Sequence, residues 1–154
     1  MSAPSTPLLL GAAAAAGAGL ALQATINARL RDYIAEPMLA ALASFGVGTI
    51  ALALLSVVVL ATGGARPEMS RLAGAPLWVW LGGLLGAYYI FTTVTVTPRI
   101  GPALFLGLVV AGQLGVAVAL EHFGAMGLER HPVSAGRVAG AALLVLGVIL
   151  IRRF

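Results

Sequence analysis

Gly101–Gly124 reads GPALFLGLVVAGQLGVAVALEHFG, an apolar stretch interrupted once by an amide and closed by a carboxylate and an imidazole. From Pro102 to Leu120 it carries no charge. At about 1.5 Å per residue, a helix of that length crosses a hydrocarbon layer of about 30 Å and sets Gln113 near its middle. An amide in lipid without a partner costs several kcal/mol, so Gln113 is expected to face protein or a wet cavity. On the opposite face Ala103, Gly107, Ala111, Gly115 and Ala119 recur every fourth residue, a flat stripe on which another helix backbone can pack closely.

Working outward, the whole chain has the same character. Of its 154 residues 60 % are hydrophobic and only 9 % charged, with a mean hydropathy of +1.04; soluble domains carry roughly a quarter charged residues. The apolar residues gather into five blocks, near 8–30, 37–62, 76–97, 102–122 and 134–151. Residues 1–154 are therefore expected to form one all-α, multi-pass domain of the plasma (inner) membrane with five transmembrane helices and lipid as its solvent. No cysteine and only two histidines are present, so neither a disulfide framework nor a metal site is expected, and no cofactor. No nucleophile, base and orienting group fall together, which argues against an enzyme. The basic residues are all arginines at block edges, where they read as interface anchors and not as a nucleic-acid surface.

In the first block Gly11, Ala15, Gly19, Gln23 and Asn27 fall every fourth residue, a small-residue stripe running into two amides. The polar lead before it lacks Lys and Arg, and the apolar run exceeds the 7–15 residues of a signal-peptide core, so a membrane span is the better reading. Gln23 is expected to line an internal polar site; Asn27 either joins it or snorkels near Arg29. Arg29, Arg31, Asp32 and Glu36 read as a loop, and Pro37 as the first residue of the next helix. There Ala40, Ser44 and Gly48 form a second stripe. Ser44 and Thr49 either bond their own helix carbonyls or offer hydroxyls to a substrate.

Gly63–Ala75 is a polar connection, and Trp78 and Trp80 suit the headgroup level. Gly82 and Gly86 make a GxxxG pair. Tyr88 and Thr92 share a face, either lining a cavity or filling an interface. Pro98 to Pro102 reads as a tight link. Glu121 lies about 12 Å along the helix from Gln113 and about 80° around it, so it looks either into the same cavity or toward the interface. Glu121 and His122 are the candidates for proton or cation coupling. In the last block, Arg137 is expected to snorkel outward, and Gly140 and Gly147, with Gly19, Gly48, Gly82, Gly86 and Gly115, are the candidate helix-packing glycines.

With five spans, Arg66, Arg71, Arg130 and Arg137 fall on one side, and Arg29, Arg31, Arg99, Arg152 and Arg153 on the other. Such balance gives the positive-inside rule nothing to choose between. Two oppositely inserted copies would form an inverted repeat with a site at the midplane. The other readings are a single orientation with a weak signal, or pairing with an oppositely oriented homologue.

Several stretches together resemble the YdcZ family of the drug/metabolite transporter superfamily: LALQATINARL at Leu20–Leu30, ALASFGVGT at Ala41–Thr49, WLGGLLGAYY at Trp80–Tyr89, PRIGPA at Pro98–Ala103, AGQL at Ala111–Leu114, EHFG at Glu121–Gly124 and GAALLVLGVIL at Gly140–Leu150. The resemblance implies a five-helix protein equivalent to half of a ten-helix transporter, acting as an antiparallel pair. Glu121 stands where that family more often has Asp. The last helix is also similar to the dimerisation helix of small multidrug resistance exporters, whose first-span glutamate is replaced here by Gln23 and Asn27.

These readings converge on a small transporter working by alternating access as an antiparallel homodimer of dual topology, with Gln23, Asn27, Gln113, Tyr88, Thr92 and Ser44 holding a small polar or amphipathic solute. The alternative is a structural or regulatory subunit that packs against another membrane protein and transports nothing. An ion channel is a further possibility.

Overall fold

Thr6–Ile34 is rich in alanine and leucine, has its one proline in the first turn, and forms one helix, α1, in a computed structural model that describes residues 6–64, 66 and 68–154. It runs past the expected end at residue 30. Arg29, Arg31 and Asp32, expected in a loop, complete its last turns instead, Arg29 Nη1 standing 3.5 Å from Asp32 Oδ2 three residues on. Charge at a membrane interface is compatible with helix, and only Ala35, at φ +63°, breaks it. Glu36 then caps α2 (Pro37–Ala61) by accepting from the Leu39 N–H at 2.7 Å, with Pro37 in the first turn as expected.

The following connection contains a short helix, α3 (Met69–Ala73), and a 3-10 turn at Leu77–Trp80 whose two tryptophans are exposed. α4 (Leu81–Ile100) continues through Pro98. The expected link from Pro98 to Pro102 shrinks to one residue, Gly101, at φ +83°. Proline removes one N–H from the ladder, yet the Gly101 N–H still reaches the Thr97 carbonyl at 2.9 Å, so the turn closes around it. α5 (Pro102–Phe123) ends at Gly124 in the left-handed region, and α6 (Ala135–Arg153) is capped by Ser134. Five segments are long and apolar enough to cross a membrane: Thr6–Ile34, Pro37–Ala61, Leu77–Ile100, Pro102–Phe123 and Ala135–Arg153. The described residues contain no strand.

The chain divides into two compact units. In the first, Gln23–Thr95, the core is Ala40 and Ala41 of α2 against Ile90 and Val94 of α4, flanked by Leu30, Ile34, Tyr89 and Phe91. Small residues on α2 let α4 come close, and a Cβ on Gly86 would lie 3.4 Å from Phe45 Cζ. The second joins residues up to 22 with 96–154. There α5 packs on α6, so closely that a Cβ on Gly107 would lie 3.0 Å from Val148 Cγ2. Gly19, Gly48, Gly82, Gly115, Gly140 and Gly147 meet no such neighbour among the described residues. Leu8, Leu54, Leu84 and Leu143 are each 64–67 % exposed, a surface suited to acyl chains and not to water.

Candidate functional site

Helix arithmetic sets Asn27 and Ser44 at the same height, and the rotation of α2 against α1 turns them toward each other. Asn27 lies seven residues before the end of α1 and Ser44 seven residues into α2, each about 10 Å from its helix end, and Ala35–Glu36 alone joins the two helices. The Ser44 hydroxyl donates to Asn27 Oδ1 at 2.8 Å. Asn27 is only 3 % exposed, and its Nδ2 has no hydrogen-bond partner among the described residues. A buried donor left so costs about 1–3 kcal/mol, so this amide is retained at the expense of stability.

Ser44 also belongs to the wall of a cavity of ≈ 200 Å³, together with Gln23, Phe45, Gly48, Thr49, Leu52 and Ile90. Gln23 sits one turn before Asn27 on α1, is half-buried, and makes no side-chain hydrogen bond to a described residue. The Thr49 hydroxyl donates to the Phe45 carbonyl at 2.9 Å, leaving its oxygen as an acceptor. No charged side chain lines this space. A second cavity of ≈ 170 Å³ lies between α2 and α4, bounded by Met38, Ala41, Leu42, Ala87 and Phe91 and again by Phe45, so one ring borders both.

The other residues singled out from the sequence lie elsewhere. Thr92 donates to the Tyr88 carbonyl at 2.8 Å, Tyr88 is exposed, and neither lines these two cavities. Gln113 is exposed on α5 and makes no side-chain hydrogen bond to a described residue. Two α4 threonines not singled out are buried: Thr93 bonds back to the Tyr89 carbonyl, whereas Thr97 Oγ1 has no partner among the described residues. Phe45 and Ile90 also went unmarked, since an apolar residue in a span gives no sign that it borders a cavity.

Glu121 and His122 stand in a dense set of loop contacts. The Glu121 carboxylate pairs with the Arg137 guanidinium, so Arg137 turns toward α5 instead of snorkelling outward. Arg137 Nη1 also donates to the His131 carbonyl at 3.2 Å, and the His131 N–H donates to the Glu121 carbonyl at 2.9 Å. His122 Nδ1 accepts from the Val133 N–H at 3.1 Å, while Arg130 Nε donates to the His122 carbonyl at 3.1 Å. The last carbonyls of α5 are thereby satisfied by the loop that follows. The same unit contains a larger groove of ≈ 390 Å³, between α5, α6 and Ile100. Its walls are apolar apart from Arg152, so it offers almost nothing for polar recognition.

Among the described residues, no group of three or more His, Asp or Glu could hold a metal ion. Residues 8–150 match the family model described as "Putative inner membrane exporter, YdcZ". The chain is 28 % identical over 139 residues to the inner membrane protein YdcZ of Escherichia coli (strain K12), covering 90 % of this chain and 91 % of that protein. No solved structure matches. With its five apolar helices, this makes the chain a multi-pass protein of the plasma membrane.

Proposed function

The chain belongs to the YdcZ family, and on that footing we propose that it exports a small polar or amphipathic solute by alternating access, as a pair of oppositely inserted copies. The observation that carries this reading is the Asn27–Ser44 pair beside the cavity that Gln23 lines. Polar groups buried inside a membrane domain without a full set of partners are costly, and transporters keep them where a cargo binds.

Pairing of two copies is supported by what one copy leaves uncovered. Gln113 is exposed near the middle of α5, and a Cβ on Gly115, Gly140 or Gly147 would meet no neighbour among the described residues. A second copy across these faces would shelter the amide and use the small residues for close packing. Glu121 and His122 are assigned to holding the α5–α6 loop, because coupling through Glu121 would first require Arg137 to let go.

Two measurements test this. A reporter fused to the C terminus should give signal on both sides of the membrane; a signal on one side alone would overturn the antiparallel pair. Vesicles containing the protein and loaded with a small-metabolite extract should lose at least one solute, and those carrying Gln23→Leu should retain it. If vesicles with fully assembled protein lose nothing, the chain is a packing subunit and the export reading falls.

A further inference from the structure

We infer that Gln23 is the specificity-determining residue of the cavity it lines, and that this cavity takes an uncharged ligand bearing a carboxamide edge, an acceptor oxygen beside an N–H donor. This deepens the export reading and rests on it only for the ligand's role as cargo.

The space is there because a glycine stands level with the amide. Asn27 meets Ser44 in the α1–α2 hairpin, and one turn farther from Ala35–Glu36 the same counting sets Gln23 level with Gly48. A Cβ on Gly48 would meet no atom within 4 Å among the described residues, so that level is left open. Both positions lie about 16 Å from their helix ends, close to half of a hydrocarbon layer of about 30 Å. Gly48, Thr49 and Leu52 are exposed, which gives a ligand a way in.

The hydrogen-bonding capacity left on the wall defines the ligand. Gln23 makes no side-chain hydrogen bond to a described residue, so its Oε1 and both its N–H groups are available. Ser44 spends its proton on Asn27 Oδ1 and Thr49 on the Phe45 carbonyl, so these two hydroxyls offer only their oxygens. Asn27 is not part of the wall; it acts only by turning the Ser44 proton away from the cavity. A ketone or ether would reach the Gln23 N–H alone. A carboxamide answers both ends of Gln23: its oxygen accepts from Nε2, and the N–H on the same side donates back to Oε1. A second N–H on the ligand is left for the Ser44 or Thr49 oxygen. A charge would go unanswered, since no ionised side chain lines the wall and an ion at this depth is costly. Phe45, Leu52 and Ile90 complete the wall with apolar surface. A cavity of about 150 Å³ holds benzene, so ≈ 200 Å³ suits one ring together with its amide.

The experiment uses the full chain in lipid nanodiscs and four probes of one shape: benzamide, acetophenone, benzoate and benzamidinium. With Kd referred to probe dissolved in the lipid, benzamide should bind about tenfold more tightly than acetophenone, the worth of one further hydrogen bond. Neither ion should displace it. Gln23→Leu should bind benzamide no more tightly than acetophenone. Gln23→Glu at alkaline pH should let benzamidinium displace benzamide, because a carboxylate pairs with an amidinium through the same two bonds, a reversal that a purely structural glutamine would not produce. Gly48→Leu, which sets a side chain in the open level, should bind neither benzamide nor acetophenone, and it serves as the second variant should Gln23→Leu fold poorly. Equal binding of benzamide and acetophenone by the unaltered protein, or displacement of benzamide there by either ion, would overturn the inference. So would a benzamide preference that survives in Gln23→Leu, no gain of benzamidinium in Gln23→Glu, or unchanged benzamide binding in Gly48→Leu. Because binding is read without transport, amide-selective binding with no flux would sink only the export reading. Flux of a solute with no preference for benzamide would sink only this one.

Discussion

Asn27 and Glu121 are both polar residues close to the end of an apolar helix, and the chain treats them in opposite ways. Glu121 is surrounded by groups that answer it: its carboxylate by Arg137, its carbonyl by the His131 N–H. Asn27 has one oxygen answered by Ser44 and a nitrogen answered by nothing described. A polar group whose partners are all supplied within the fold serves the fold. One that remains incomplete in a buried position carries a standing cost, and such costs persist where something outside the chain completes the bonding. The contrast is between a hairpin end whose polar groups are answered and, on the proposed reading, a unit in which one buried donor awaits a partner from outside the chain.

The largest effect expected in the hairpin comes from its tightest contact. Gly107→Leu would drive a branched side chain into Val148, already 3.0 Å from an ideal Cβ, and should destabilise the protein by about 3 kcal/mol in denaturant titration in micelles. Wild-type stability would mean that α5 and α6 do not pack as described. Next in size, Arg137→Ala removes the Glu121 ion pair and the bond to the His131 carbonyl, and should cost about 2 kcal/mol. Amide hydrogen exchange should rise at His131 and Val133, whose N–H groups the clamp engages. Exchange unchanged there would show that the clamp holds nothing.

In the other unit Phe45→Ala should act on ligand size more than on stability, because the ring is 39 % exposed. It would join the cavities of ≈ 170 and ≈ 200 Å³ and admit a probe of naphthalene size that the unaltered protein excludes. Smallest of all, Ala35→Gly should stabilise by about 0.5 kcal/mol: relief of a left-handed alanine slightly outweighs glycine's greater freedom in the unfolded chain.

Much of this architecture was legible in the sequence, because lipid imposes length and apolarity on every span. Pro37 at the start of α2, Gly124 past the end of α5 and Ser134 before α6 act as such residues do locally. Helix ends were less legible where two local rules competed. Arg29–Asp32 are helical since interface charge does not oppose a helix, and Pro98 is helical since loss of one N–H did not end the turn. Partnerships across helices were hidden altogether. Ser44 bonds Asn27, 17 residues away, whereas Thr49, five residues along the same helix, bonds its own backbone. The rotation of α2 against α1 decides which hydroxyl faces an amide, and sequence spacing along one helix contains no information about that angle. Glu121 and Arg137, 16 residues apart across a loop, were obscured for the same reason.

The central claim, that the buried amide awaits a partner from outside the chain and the Glu121–Arg137 pair serves the fold, is tested most directly by the stability of two variants in ligand-free nanodiscs. Asn27→Leu should leave the unfolding free energy unchanged or raise it by up to about 1 kcal/mol, because an unanswered donor disappears and Ser44 can turn to its own helix. Arg137→Ala should lower it by about 2 kcal/mol under the same conditions. If Asn27→Leu proves as damaging as Arg137→Ala, the amide is a structural member like any other and the account is wrong.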